Sequence, residues 1–555
     1  MLKTKIVSSQ EKVFLDDKID GFNALCEVSA LRGEVLSVQL LYVDTKEGEY
    51  LPMRPFFDIS LSGEIAEYAT MRDVRVVPVD KPTFQGLYDS NYARTEPGVY
   101  PDILTPLRYG GKICPSRDRL RSVWIEIKIP EHYSGKYDLT VTVSEKDGTT
   151  VNTEKVTVKV IAATLPPQKT HFTQWFYPDC LAAYYNLPMW SQRHWEIVES
   201  FARVAVERGR DTMYVPVFTP ALNVLPGYER LPSQLLRVSV TDGKYEFDFS
   251  LIDRYIDMCD RLGVKYLEIS HFYQQDKAKH AAHIYATVDG ELKRIFDWDT
   301  LSLDPEYVRF LRGFISAFVE HMRARGDDRR CIYHISDEPD LANIEQYKAV
   351  KANIADLLQG YRIIDALSDF EFYSHGALEN PVPTLTASSP FIEAGIKDLW
   401  VYYACFEAVD YTNMHVAMPS YRTRSLGMQL YKHQIDGFLH WGYNYYNNRA
   451  SGDAINPFME LGGEDWVPAG DCFVVYPDSD GTPLESIRLM SLLEAMQDIR
   501  AMQLCESYYS YTEVTEAIEA VLGEELSFKR CAYSSEEMLK VRETVNAMIE
   551  RAVEK

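Results

Sequence analysis

Between residues 13 and 161, apolar and polar side chains alternate in short stretches, the pattern of strands with one buried face. Lys146-Asp147-Gly148 separates the last two stretches and is typical of a hairpin turn. Regular strand spacing without a convincing helical pattern predicts a β-sandwich. The predicted strands cover residues 35–42, 74–79, 122–129, 137–143 and 153–161.

After residue 170 the pattern changes to short apolar runs that alternate with segments of helical period. This alternation predicts a (β/α)8 barrel of the TIM type. An open doubly wound sheet is the alternative, but no glycine-rich phosphate loop follows the first strand. Strands are predicted over 171–176, 212–218, 264–270, 331–335, 361–367, 398–404 and 437–444, and helices over 193–208, 251–262, 305–325, 342–358 and 426–433.

A stretch with two adjacent prolines, residues 162–168, reads as a linker between the two patterns. The last part of the chain is mostly helical, with segments predicted over 484–504, 514–522 and 535–553. The predicted organisation is an N-terminal β-sandwich (1–165), a barrel (170–505) and a small C-terminal helical appendage (506–555).

Composition narrows the function classes. The chain has 555 residues and a formal net charge of −24, which argues against nucleic-acid partners and anionic membrane surfaces. Without a run of about 18 apolar residues, no membrane insertion is expected. Nine cysteines without a CxxC pair indicate buried thiols in a reducing compartment. The expected location is cytoplasmic, or secreted if a signal sequence has been removed. No pattern specifies an oligomeric state.

The stretch from Cys331 to Pro339 reads as a short buried strand that ends in two neighbouring carboxylates, Asp337 and Glu338. Inside a strand these side chains would point to opposite faces, but beyond its end both can turn toward one cavity. The alternative is that they cap the next helix, because acidic side chains stabilise helix N-termini. Barrel enzymes carry their reacting groups at the carboxyl ends of the strands, which favours a catalytic role.

The other strand ends supply aromatic and hydrogen-bonding side chains. This set suits a pocket in which rings stack on sugar faces and polar groups hold hydroxyls. No cofactor is indicated, and no metal is expected because His280 and His283 lie in a polar loop without a clear acidic partner. The candidate substrate-binding residues are Trp175, Asn223, His271, Tyr403, Trp441, Tyr443 and Asn444.

Three motifs occur in order along the barrel: Ser336-Asp337-Glu338-Pro339, GFLHWGYNYY at 437–446, and GDCFVVYPDSDG at 470–481 followed by Ser486-Ile-Arg-Leu489. Together they resemble glycoside hydrolase family 123 and the related domain of unknown function 4091. The likeness covers most of the chain, since that family also joins an N-terminal β-sandwich to a (β/α)8 barrel.

The resemblance implies an exo-acting β-N-acetylgalactosaminidase, or more broadly a β-N-acetylhexosaminidase, with retaining, substrate-assisted catalysis. In that scheme the 2-acetamido oxygen of the substrate attacks the anomeric carbon, and the protein supplies no nucleophile. Glu338 corresponds to the general acid and base, and Asp337 to an ionised group that orients the acetamide N–H. The implied substrate is a glycan or glycolipid with a terminal β-linked N-acetylhexosamine.

Two other functions fit the same residues. An ordinary retaining glycosidase would use Glu338 as the acid and a second carboxylate, such as Glu407, as the nucleophile. A non-catalytic carbohydrate-binding protein could keep the barrel pocket without the reaction, because a fold alone does not establish a function.

Overall fold

A computed structural model describes residues 2–45, 56–222, 224–464 and 466–554. Antiparallel sheets form the first part of the chain, a nearly closed eight-stranded parallel barrel with helices follows, and further helices complete the fold. The predicted fold class is confirmed.

Two sheets form the sandwich. On the strand from Gly135 to Ser144, Leu139, Val141 and Val143 are buried and alternate with half-buried polar residues. They share one core with Val123 and Ile125 of the other sheet. In spatial order, one sheet contains Leu2–Ser8, Val35–Asp44, Arg121–Lys128, Ala69–Val79, Gly98–Pro106, Pro483–Ser486 and Val475–Pro477, and the other Glu27–Arg32, Thr150–Thr164, Gly135–Ser144, Phe57–Ser62 and Lys112–Ile113.

All five strands predicted in this region form, most of them with wider bounds. The prediction missed Leu2–Ser8, Glu27–Arg32, Phe57–Ser62 and Gly98–Pro106. Glu27–Arg32 pairs in parallel with Thr150–Thr164, an arrangement that hairpin signals cannot indicate, because parallel neighbours are never joined by a tight turn.

The barrel strands are short. The eighth pairs with the first, and a parallel bridge from Thr384 to Tyr402 brings the sixth and seventh together, so that the sheet nearly closes on itself. The sixth strand was missed, because it is three residues long and contains Pro381. The strands are β1 His171–Gln174, β2 Thr212–Val215, β3 Tyr266–Ile269, β4 Cys331–Tyr333, β5 Arg362–Ala366, β6 Asn380–Val382, β7 Trp400–Tyr402 and β8 Gly437–His440.

Helices surround this sheet. Most predicted helices agree within a few residues, but the one predicted over 342–358 begins as a 3₁₀ turn and its α-helical part ends at Ala352. The α-helices between 178 and 506 are Pro178–Tyr184, Gln192–Glu207, Ser250–Leu262, Pro305–Arg325, Ile344–Ala352, Phe370–Ser374, Ser389–Glu393, Ser420–Arg424, Leu426–Lys432 and Ile487–Glu506. Two hairpins inserted in the barrel, Arg237–Thr241 with Lys244–Asp248 and Ile284–Val288 with Glu291–Phe296, form a separate four-stranded sheet.

A strand and a buried ion pair connect the sandwich to the barrel. The strand Pro483–Ser486 follows the last barrel strand in sequence, yet it pairs with Gly98–Pro106 of the sandwich sheet. Just after it, the guanidinium of Arg488 lies 2.8 Å from the carboxylate of Asp102, and both side chains are buried. A buried, paired charge is costly to separate, so these contacts hold the two parts in one arrangement.

The C-terminal helices Tyr511–Leu522 and Ser535–Val553 lie against both parts. Buried Arg542 on the last helix forms ion pairs with Glu34 of the sandwich at 2.7 Å and with Asp498 of the barrel helix at 2.8 Å. The appendage therefore joins the two larger units. Within the described residues, the length and hydropathy that a bilayer-spanning helix requires are not met by any helix.

Candidate active site

The two acids lie where β4 ends. Asp337 is buried and its neighbour Glu338 is exposed, yet both line one cavity of about 300 Å³ at the carboxyl ends of the barrel strands. Glu338 has a φ of +43°, a left-handed conformation that residues other than glycine seldom adopt. This backbone turn allows two consecutive side chains to reach the same cavity, and such a conformation is often found where function requires it.

Each acid has its own hydrogen-bond donor. Gln275 Nε2 donates to Asp337 Oδ2 at 2.5 Å, and Tyr402 at the end of β7 donates its hydroxyl proton to Glu338 Oε1 at 2.6 Å. Lys277 donates to the backbone carbonyl of Glu338. The two carboxyl groups receive their hydrogen bonds from different segments, Asp337 from the loop after β3 and Glu338 from β7, so they are oriented independently.

Burial is the largest cause that raises the pKa of Asp337 to about 8; the charges of Glu338 and Asp365 act in the same direction, and His334 and Gln275 in the opposite one. Asp337 therefore favours its protonated form at neutral pH, as expected of a buried carboxyl group beside other carboxylates. The sequence-based expectation was an ionised Asp337. In the unliganded structure Asp337 is the deeper member, and burial favours its neutral form.

A buried charge network lies beneath the pair. His334 Nε2 is 2.7 Å from Glu268 Oε1, and His334 Nδ1 is 3.3 Å from Asp365 Oδ1. Burial opposes protonation of His334, but the hydrogen bonds and charges of the two carboxylates outweigh it and raise its pKa to about 9. Asp365 also accepts the backbone N–H of Ile335 and Ser336. The network therefore fixes the segment that carries the acids.

His271, His334 and Asp365 bring ligand-type atoms within 4.8 Å of one another, which makes them a candidate cation site. Their arrangement does not suit a metal. Both nitrogens of His334 already face carboxylates. The rings of His271 and His334 are stacked with centroids 4.2 Å apart.

Aromatic rings form the floor and one wall of the cavity. Trp175, just after β1, donates its indole N–H to Glu268 at 2.7 Å and so belongs to the buried network. Trp441, just after β8, donates to Asp471 Oδ2 at 2.9 Å and packs against Trp466. Flat apolar faces next to carboxylates suit the ring and the hydroxyls of a sugar.

Asp471 is the third acid on the cavity lining, although its side chain is fully buried. Burial opposes its ionisation, but His415 and His440, whose nitrogens lie 3.7 and 3.4 Å from Oδ1, hold its pKa below the usual range. Gly442 permits this packing, since a Cβ there would lie 2.6 Å from the Asp471 carbonyl oxygen.

Of the candidate substrate-binding residues, Trp175 and Trp441 line the cavity. His271 and Tyr403 lie behind it, His271 against Tyr214 and His334, and Tyr403 against Phe438 and His440. The structure therefore does not bring His271, Tyr403, Tyr443 or Asn444 to the lining: all four are buried behind it.

Tyr443 and Asn444 make structural contacts instead. The Tyr443 hydroxyl donates to the carbonyl of Phe201, and the Asn444 amide exchanges two hydrogen bonds with the backbone of Tyr177. Asn223 lies outside the described residues. Glu407, the alternative nucleophile, is 1% exposed and accepts the N–H of Ala404 and the hydroxyl of Thr386, both at 3.0 Å.

Several lining residues were not anticipated. Tyr402 is adjacent to the predicted Tyr403, and Asp471 lies inside the motif at 470–481. Both could therefore have been identified from the sequence. The pattern of the chain gave no indication of Gln275 or of the sandwich residues. The unanticipated lining residues include Phe84, Gln85, Gln275, Tyr402, Phe406, Trp466 and Asp471.

A (β/α)8 barrel with adjacent acids and tryptophans at its strand ends is an arrangement typical of glycoside hydrolases. A family model described as the glycoside hydrolase 123 catalytic domain matches residues 175–505. The chain therefore belongs to glycoside hydrolase family 123. No curated protein gives a significant match to the sequence.

A solved structure shares the fold of the whole chain. A family 123 glycoside hydrolase from Clostridium perfringens, described in a study of glycolipid glycan hydrolysis, is 16% identical, with a TM-score of 0.74 over 100% of this chain and 99% of that chain. Two other solved structures are much less similar. β-Glucuronidase 3 of Bacteroides uniformis is 10% identical, with a TM-score of 0.31 over 89% of this chain and 51% of that chain. An endo-β-1,4-mannanase of Thermotoga petrophila is 10% identical, with a TM-score of 0.33 over 60% of this chain and 77% of that chain.

Proposed function

We propose that the protein is an exo-acting β-N-acetylgalactosaminidase that uses retaining, substrate-assisted catalysis. The observation that carries this proposal is the adjacent acid pair, in which a buried Asp337 and an exposed Glu338 line one cavity. The acetamide nitrogen and the glycosidic oxygen lie on neighbouring carbons of one sugar ring. Two adjacent acids at different depths suit these two positions.

In the first step the acetamido carbonyl oxygen forms a bond to the anomeric carbon while the glycosidic bond breaks. The bonding electrons leave with the glycosidic oxygen, which takes a proton from Glu338. Asp337 accepts the N–H of the oxazolinium intermediate and stabilises its positive charge. In the second step water attacks the anomeric carbon and gives a proton to Glu338. The bond between that carbon and the acetamido oxygen breaks, and the acetamido group is restored on the sugar.

The raised pKa of Asp337 is compatible with this division of roles. In the free protein, burial favours the neutral form of Asp337. An acetamide N–H placed against Asp337 would favour its ionised form, because a donated hydrogen bond stabilises a carboxylate. The proton of the pair would then reside on Glu338, next to the leaving oxygen. Substrate binding would thus prepare the acid for the first step.

An ordinary retaining mechanism needs a second carboxylate as the nucleophile. Glu407 is turned into its own loop by two hydrogen bonds. Asp471 is fully buried and engaged by Trp441. Neither offers a free carboxylate to the cavity, which favours the substrate's own acetamido group as the nucleophile.

The proposed substrate is a glycan or glycolipid with a terminal β-linked N-acetylhexosamine. The floor formed by Trp175 and its buried network suits a terminal sugar. The study of the Clostridium perfringens neighbour concerned glycolipid glycans, which supports a glycolipid as one form of the substrate.

The test uses p-nitrophenyl β-GalNAc, β-GlcNAc and β-galactoside with the wild type, Asp337→Asn and Glu338→Gln. We expect cleavage of 2-acetamido sugars alone, with β-GalNAc preferred, inhibition by a thiazoline analogue and severe loss in both variants. Asp340→Asn, a neighbouring acid with a 45% exposed side chain, is the matched control and should keep its activity. Comparable β-galactoside cleavage, or no thiazoline inhibition, would refute the proposal.

A further inference from the structure

A loop of the sandwich reaches the catalytic cavity. Phe84 and Gln85, which lie between the strands Ala69–Val79 and Gly98–Pro106, belong to the cavity lining. Leu87 N–H donates to the Phe84 carbonyl at 2.8 Å across a tight turn in which Gln85 and Gly86 have φ values of +50° and +75°. Two consecutive positive φ values are typical of a type I′ turn, which fixes the direction of the flanking side chains.

This loop is fastened to the barrel on its far side. The guanidinium of Arg422 makes two hydrogen bonds of 2.9 Å to the carboxylate of Asp89, and the N–H of Asp410 donates to the same carboxylate at 2.6 Å. Tyr92 donates its hydroxyl proton to the carbonyl of Ala408 at 2.8 Å. Because these bonds lie at the base of the turn, the turn is a fixed wall of the cavity in this structure.

Phe84 meets an exposed ring of the barrel. Its ring centroid is 4.9 Å from that of Phe406, with the planes inclined by 63°. Phe84 is only 6% exposed, whereas Phe406 is 70% exposed although it lines the cavity. An aromatic ring that is held in place by a buried partner and left open to solvent offers a preorganised apolar surface.

The position of this surface relative to the acids determines which part of a substrate it could meet. Asp337 is buried, whereas Glu338 and Phe406 are both exposed, and all three line the same cavity. Phe406 therefore lies toward the open side of the cavity, as Glu338 does, and not at the depth of Asp337. On that side the bond to the leaving group would break.

We propose that Phe84 and Phe406 form the leaving-group subsite and that they receive the apolar face of a second sugar ring. The inference rests on the function proposed above and adds the nature of the leaving group. The surface is continuous with the catalytic cavity, which argues for the substrate as its occupant. Phe84 lies outside residues 175–505, the span matched by the family model, so the sandwich itself would contribute to specificity.

The experiment compares Phe84→Ala and Phe406→Ala with the wild type on two substrates. One is a β-GalNAc-terminated disaccharide, and the other is β-GalNAc fluoride, whose leaving group has no surface to stack. We expect kcat/KM for the disaccharide to fall about tenfold in each variant, the size of one aromatic contact, and kcat/KM for the fluoride to stay unchanged. Tyr88→Ala is the control, because Tyr88 is an exposed ring of the same loop outside the lining.

The inhibition constant of a thiazoline analogue separates this inference from the proposed function. If the analogue inhibits all variants equally and the disaccharide effect is absent, the leaving-group assignment is wrong although the catalytic proposal stands. An equal loss on an octyl β-GalNAc glycoside would assign the surface to alkyl chains and overturn the second sugar. In the double variant we expect less than the sum of the two single effects, because the two rings act as one surface.

Discussion

Replacement of Asp337 by asparagine should stabilise the protein, and the gain should depend on pH. An ordinary aspartate titrates near 3.9, whereas burial and the neighbouring carboxylates raise the pKa of Asp337 to about 8. Below about pH 4 the carboxyl group is protonated in both states, and the raised pKa costs nothing. Between about pH 4 and 8 the unfolded chain ionises while the folded protein keeps the proton, so the wild type loses stability as pH rises.

The size of the effect follows from the same pKa difference. Each pH unit in this window changes the free energy of unfolding by up to about 1.4 kcal/mol, for a total of up to about 6 kcal/mol above pH 8. The opposing effects of His334 and Gln275 are already included in the pKa of about 8. We expect the difference between Asp337→Asn and the wild type to grow by about 2 kcal/mol or more between pH 5 and 8.

Urea unfolding followed by tryptophan fluorescence, at pH 5, 6.5, 8 and 9, measures the free energy of unfolding of both proteins. The difference should widen up to about pH 8 and then stay level. Asp340→Asn, which removes a carboxyl group with a 45% exposed side chain from the same loop, is the control for the loss of a nearby acid. A constant or narrowing difference for Asp337→Asn would refute the conclusion that burial keeps this carboxyl protonated.

Three further substitutions test single contacts of the site. Glu407→Gln should keep kcat on a 2-acetamido substrate within about tenfold, since its hydrogen bonds are structural, whereas the loss of a nucleophile would abolish turnover. Tyr402→Phe should lower kcat/KM about tenfold, because Glu338 loses the donor that aims it; an unchanged kcat/KM would contradict that role. Gly442→Ala should destabilise by about 1–3 kcal/mol in urea unfolding, since a Cβ would lie 2.5 Å from the Cys472 carbonyl; wild-type stability would show that the backbone gives way there.

The sequence was sufficient to predict the fold class and the position of the acid pair after β4, for identifiable reasons. The apolar run Cys331–Tyr333 is a buried strand, and Pro339 prevents its continuation, so the end of β4 could be located closely. The long helix Pro305–Arg325 has both end signals, with Asp304 as its N-cap and Gly326 at its C-terminus. Elements with such local signals were predicted well.

Side-chain direction at the strand ends was less predictable. Residues 398–404 were expected to form one strand with Tyr403 at the pocket, but β7 ends at Tyr402, and it is Tyr402 that reaches Glu338. Adjacent residues of a strand point to opposite faces, so an error of one residue in the strand end led to Tyr403 in place of Tyr402. After β8 the chain turns, and Asn444 is drawn to the backbone of Tyr177, a contact that only the tertiary structure defines.

Contacts between distant segments were beyond the reach of the sequence. Phe84 and Gln85 reach the cavity because Asp89 pairs with Arg422, and a lone aspartate in a polar loop does not indicate such a partner. The same holds for Lys12, whose buried ammonium group donates to the Met418 carbonyl at 2.8 Å. Burial between the sandwich and the barrel lowers the pKa of Lys12 to about 7.

The backbone conformation at Glu338 determines where the two adjacent acids lie in the cavity. In an extended strand Asp337 and Glu338 would lie on opposite faces, and one of them would leave the cavity. The left-handed φ of Glu338 returns its side chain to the cavity at a shallower level, while Asp337 stays buried beside Gln275. In the proposed mechanism this difference in depth would separate the two tasks, because a deep carboxyl group can meet an acetamide on the bound ring while a shallow one meets the bond to the leaving group. A single residue with a positive φ would thus allow two adjacent acids to act on different atoms of one substrate.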